Sequence, residues 1–182
     1  PRAEGVTNRA LELMHTTCKA PLFLWAHYVD PHLPYMDDPS RRDIDPWPEE
    51  EPVVGDYFIK LHDIRGGNVW INAQDRQRLK DLYDKEVIYT DTHIARLLDA
   101  VRERSKTRKV VVVLTADHGE EFWDHGGFEH GHNYYREVTL VPLLFWRSDH
   151  IGQPRVIDEP VGLVDVHPTV LALAGLQNPA PR

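Results

Sequence analysis

Apolar side chains at Val6, Ala10, Leu13 and Met14 recur at helical spacing, which predicts a helix over residues 6–19 that Pro21 stops. Leu22-Phe23-Leu24-Trp25-Ala26 is a short apolar run followed by polar residues and reads as a buried strand. From Asp30 to about Gly67 the pattern is lost. Prolines at 31, 34, 39, 46, 48 and 52 are mixed with acidic residues, so 36–70 is expected to be a long irregular loop. Asn72 then caps the clearest helix, in which Leu79, Leu82, Val87, Ile94, Leu97, Leu98 and Val101 return to one face before an end near Ser105. Lys109–Thr115 is a β-branched run without alternation, as in a central parallel strand covered on both faces. Val141–Trp146 suggests another strand with its proline at the start, and Asp165 caps a short helix that stops at Gly175. The alternation of helices and strands predicts an α/β domain: a largely parallel sheet flanked by helices.

Composition narrows this picture. The 182 residues suit one ordinary domain with a core that needs neither disulfides nor a structural metal, and the single Cys18 cannot build a disulfide framework. A formal net charge of −8 argues against a nucleic-acid binder, which needs a basic face. No apolar run approaches the roughly 20 residues of a membrane span. Eleven histidines, several of them crowded into two short stretches, stand out.

Both stretches follow a predicted strand, where open α/β sheets gather ligands. His27 to Tyr35 follows Ala26, and Asp117 to His132 follows Ala116. Asp117 and His118, leaving a strand with Gly119 behind them, are suited to ligate a divalent ion, although an isolated Asp-His pair more often caps a helix. Two ligands are too few for a complete shell. His130 and His132, bracketed by glycines and followed by Asn133, could reach an oxyanion beside the ion, or could simply be exposed loop residues. His32 sits in a stiff Pro31-His32-Leu33-Pro34 segment, which serves either to hold one donor or to support the loop. Asp30 and His27 are weaker candidates for which strand-end capping suffices. Glu120, Glu121 and Asp124 read as a solvated acidic cluster, and Tyr134 and Tyr135 as cover for the loop.

The blocks Phe23 to Tyr35, Leu114 to Glu121, His130-Gly131-His132-Asn133 leading to Val141-Pro142-Leu143, and Val164 to Leu171, with the helix around Tyr83 to Leu98, resemble successive parts of the sulfatase family of the alkaline phosphatase superfamily. The resemblance implies an alkaline phosphatase-like fold and hydrolysis of a sulfate ester, on a small molecule or glycan. It also implies a divalent ion, calcium foremost with manganese or zinc as alternatives, for which Asp117 and His118 match half of the ligand set. His32 matches the histidine that contacts the sulfate group. The residue that steadies the ester falls at His130 or His132, so His32, His130 and His132 are the candidates for both catalysis and substrate binding.

The family nucleophile is a formylglycine made in a Cys/Ser-x-Pro-x-Arg motif. Cys18 is followed by Lys19-Ala20-Pro21-Leu22, and neither Ser40 nor Ser148 lies in that motif. The expectation is therefore an incomplete fold: residues 1–182 as the later part of a catalytic domain, inactive alone, with the formylglycine and two aspartates supplied by a missing N-terminal part. A phosphate-ester hydrolase or phosphoethanolamine transferase of the same superfamily is the near alternative. A non-catalytic remnant that binds an anion or metal, and forms a homodimer through uncovered sheet edges, is the distant one.

Overall fold

The computed structural model describes residues 2–17, 21–33, 35, 64, 71–150 and 152–177. The loop expected at 36–70 and Cys18 fall almost wholly outside them. The chain forms two compact units, residues 1–102 with 126–128, and residues 103–125 with 129–182.

In the first unit, helix α1 (Ala3–Thr16) and helix α2 (Ala73–Ser105) carry the core. Asn72 begins α2 as expected: its Oδ1 accepts the Asp75 N–H at 2.9 Å, and its amide donates back to the Asp75 carboxylate at 2.6 Å. The buried stripe of α2 differs from the one its apolar residues suggest. It runs Leu79, Leu82, Glu86, Thr90, His93, while Val87 and Leu98 face solvent. The reason is a charged partner supplied from far along the chain. Arg2 donates to Glu86 at 2.8 Å and is also paired with Asp30, all three being buried, and its guanidinium lies 5.1 Å from the Tyr89 ring centre. The other Asp30 oxygen accepts the Ala3 N–H at 2.6 Å, a cap for α1 brought from outside the helix. Thr7 donates to the His93 carbonyl at 3.0 Å. Burial and the neighbouring Arg96 lower the His93 pKa, so its ring stays neutral and accepts from that guanidinium.

The run 22–26 forms no strand ladder among the described residues, a correction to the sequence reading. It keeps the alternation of one. Leu22, Leu24, Ala26 and Tyr28 are half-buried, whereas Phe23 and Trp25 are 76% and 77% exposed. A strand requires a hydrogen-bonding neighbour as well as an extended backbone, and local sequence cannot supply that.

In the second unit, β1 (Val111–Thr115) is followed by the two-residue strand β2 (Glu121–Phe122), then α3 (Arg136–Thr139), β4 (Leu143–Arg147) and α4 (Val166–Leu173); between β2 and α3 comes the two-residue strand β3 (Phe128–Glu129), whose Phe128 falls in the first unit and Glu129 in the second. The expected largely parallel sheet is not what these strands form. β1 pairs with β4 antiparallel, from Val111 opposite Arg147 to Thr115 opposite Leu143. Nor is the pair covered on both faces, since Leu144, Phe145 and Trp146 are exposed. An apolar β-branched run reports burial in a sheet but not the direction of its neighbour. The antiparallel register has a positional consequence: the end of β1, which leads to Asp117, lies beside the start of β4, which follows α3. α4 ends in a left-handed Gly175, with Leu176 donating to Leu171, a helix stop of the expected kind. No helix of the described residues is long and apolar enough to cross a membrane.

Replacing Arg2 by Met strands two buried carboxylates, so the urea stability of the chain should fall by about 3–5 kcal/mol. Arg9→Ala, which removes only the exposed Arg9–Glu12 pair, should cost under about 1 kcal/mol. Equal losses would show that the Arg2 cluster is not what joins these segments.

Candidate functional site

Asp117 leaves the end of β1 exposed, and its Oδ1 accepts the backbone N–H of His118 at 3.0 Å. The His118 ring places Nδ1 2.9 Å from the Gly119 carbonyl. A carbonyl only accepts, so Nδ1 carries a proton, and in the neutral ring Nε2 carries the lone pair. That Nε2 is 3.8 Å from Asp117 Oδ2. One carboxylate oxygen and one unprotonated imidazole nitrogen at this separation, the latter steadied by a carbonyl behind it, suit joint ligation of one ion and supply part of its shell.

Gly119 is required by close approach. Its N–H donates to the Val138 carbonyl at 2.7 Å, and a Cβ here would lie 2.0 Å from the Glu137 carbonyl oxygen. The turn after His118 is thus pressed onto α3. Beyond it the backbone is unusual: Trp123 and Glu129 take positive φ of 61° and 71°, as do Gly126 and Gly131.

The acidic residues that the sequence suggested were merely solvated organise this loop. Glu121 is fully buried. Its Oε1 accepts the His125 backbone N–H at 3.0 Å, and its Oε2 accepts from His132 Nε2 at 3.1 Å and from the Asn133 amide. Glu120, whose side chain is largely covered, accepts from His130 Nδ1 at 2.9 Å. His130 in turn stands against His118, with ring centres 3.9 Å apart and the planes tilted by 31°. Tyr135 covers the loop by stacking on His125 at 3.7 Å, while Tyr134 points into solvent. Asn133 Oδ1 also accepts the Tyr135 N–H at 3.1 Å, tying the loop to the start of α3.

The second unit therefore brings together Asp117, His118 and His130, with His132 directed at Glu121. His32 belongs to the first unit, partly buried, with Nδ1 2.6 Å from the Leu33 carbonyl. Its loop is anchored by buried Leu33 and by Tyr35, whose ring meets Tyr83 edge-on at 5.4 Å. Asp30 is a structural residue in the Arg2 cluster, and His27 is exposed. Sequence reasoning missed Glu120 and Glu121. The available signal was their position directly after Asp117-His118-Gly119, where a carboxylate can serve nearby imidazoles.

The antiparallel β1–β4 pair thus carries a carboxylate and imidazole groups beyond its end. The family profile described as Sulfatase matches residues 3–176, and the chain belongs to the sulfatase family, within the alkaline phosphatase superfamily and its α/β fold. It is 27% identical to a sulfatase of Formosa agariphila over 93% of the chain and 36% of that protein. It is 25% identical to human iduronate 2-sulfatase over 95% of the chain and 40% of that protein. It is also 28% identical to the phosphatidylethanolamine transferase Mcr-2 of Escherichia coli over 64% of the chain and 22% of that protein. The chain thus spans less than half the length of these relatives.

Gly119→Ala should destabilise the second unit by about 2 kcal/mol or more, because the new Cβ meets backbone rather than a movable side chain. Denaturation of the variant followed through the β1–β4 amides checks this. An unchanged midpoint would mean that the turn and α3 are not in fixed contact.

Proposed function

We propose that the chain is the later part of a metal-dependent sulfatase catalytic domain, in which Asp117 and His118 hold the ion and imidazoles grip the sulfate group of the ester. The contact between His118 and His130 carries this reading, since it sets a metal-ligand imidazole beside a donor imidazole. His130 is backed by the largely covered side chain of Glu120, which holds the ring through Nδ1 and leaves Nε2 for the ligand. His132, turned to Glu121, supports the loop, and His32 is the further donor to the sulfate oxygens. A bound ion, calcium by the family resemblance and manganese or zinc by the imidazole in its ligand set, would supply Lewis-acid polarisation of a sulfate oxygen. The chain's own groups orient the tetrahedral anion, neutralise its charge through Nε2–H donors where the rings are protonated at both nitrogens, and keep the loop closed around it.

The nucleophile in this reading is a formylglycine from a segment outside these 182 residues, so the chain by itself does not turn over. The exposed Phe23, Trp25, Leu144 and Trp146 support it, since they stand in runs whose apolar character is that of covered strands. The relative Mcr-2 favours one second reading, transfer or hydrolysis at phosphorus, because a phosphate ester makes similar demands on the same donors.

The test is turnover by the complete protein that contains this chain, with aryl sulfate and aryl phosphate compared. Sulfate hydrolysis is expected, lost by about 10³-fold in Asp117→Ala, equivalent to several kcal/mol of transition-state stabilisation. Hydrolysis of the phosphate alone would establish the second reading, and undiminished turnover by Asp117→Ala would remove Asp117 from the site.

A further inference from the structure

The loop after His118 holds another set of ligand-type groups that ester binding leaves unused. Glu121 in β2, His125, and Glu137 in α3 each bring one donor atom to within 4.8 Å of the other two. Glu121 is fully buried, the Glu137 side chain is largely covered and His125 is partly exposed, so the cluster is closed on one side and open on the other. The His125 ring lies flat on Tyr135, with planes 11° apart, and its Nδ1 is 2.5 Å from Glu137 Oε1.

We propose that Glu121, His125 and Glu137 form a binding site for a divalent transition-metal ion, separate from Asp117 and His118. Two carboxylates and a neutral imidazole carry a charge of −2, which a divalent ion neutralises. Three protein ligands with a remaining position for water is the coordination of open zinc sites, and an imidazole among the ligands favours zinc over calcium or magnesium. Binding shifts the single ring proton of His125 from Nδ1 to Nε2, so the imidazole stays neutral, and the ion takes the proton's place between Nδ1 and Oε1. Those atoms then separate to the roughly 3.4 Å expected of two tetrahedral ligands each about 2.1 Å from one ion. The partly exposed His125 ring allows that movement. Oε2 of Glu121 is engaged twice, by His132 and Asn133, so Oε1, which accepts only the His125 backbone N–H and keeps a second lone pair, is the oxygen assigned to the ion. The site is independent of whether the chain acts on sulfate or phosphate. Its three residues come from two segments, 121–125 and α3, beside the contact in which Gly119 donates to Val138.

The test is calorimetric titration of the full chain with Zn²⁺ in an Asp117→Ala/His118→Ala background. One ion per chain is expected, bound at least about tenfold more weakly after either Glu137→Gln or His125→Asn. Because His125→Asn could also unfold the loop, ring ¹⁵N shifts are followed in the unaltered chain, where Zn²⁺ should move His125 Nδ1. The proposal is overturned if Zn²⁺ does not bind, if binding disappears with Asp117 and His118 alone, if it is indifferent to Glu137→Gln, or if only the His118 ring responds.

Discussion

A fully buried carboxylate without compensation is among the costliest groups a fold can hold, and the second unit is arranged around one. Glu121 has no access to solvent, so its charge must be met by donors fixed in the protein. The His125 N–H, the His132 ring and the Asn133 amide supply them from successive parts of one loop. Satisfying that single group determines the path of residues 121–133. Asn133 and the Gly119–Val138 contact carry the same constraint to α3 and to the turn that follows Asp117 and His118. The position of His130 against His118 is thereby a consequence of where buried carboxylates sit, with Glu120 fixing the ring itself.

The first unit uses the same principle for a different end. Asp30 and Glu86 are buried and Arg2 meets both, so that the start of α1, the end of the extended segment and the middle of α2 are held by one cluster. Its net charge is negative, and the extra hydrogen bond from Ala3 to Asp30 helps to disperse it. The loop bearing His32 starts directly after Asp30. A residue that looked like a strand-end cap is therefore what anchors a candidate substrate donor.

How much of this was legible in the sequence depends on how local each feature is. α2 and its Asn72 cap, α4 with its Gly175 stop, and the strands around Val113 and Phe145 follow from spacing and capping within a few residues. The family was legible because its motifs are short contiguous strings, such as Asp117-His118-Gly119. The antiparallel direction of β1 and β4 was not, because no residue of either strand encodes its neighbour's polarity. The polar stripe at Glu86, Thr90 and His93 was hidden for a related reason: a charged residue on a buried helix face looks wrong until its partner, 84 residues away at Arg2, is known. Glu120 and Glu121 were read as solvated because acidic residues in loops usually are. Their burial is decided by histidines about ten residues further on, beyond the range over which periodicity informs.

Hydrogen exchange in Glu121→Gln addresses the central claim most directly. The amide cannot serve as an ionised acceptor for His132 and Asn133, so backbone amides of residues 118–133 should exchange at least about tenfold faster, while those of Leu79–His93 in α2 keep their protection. A variant in which the 118–133 amides remain as protected as before would show that the buried carboxylate does not hold the loop, and the placement of His130 beside His118 would need another cause.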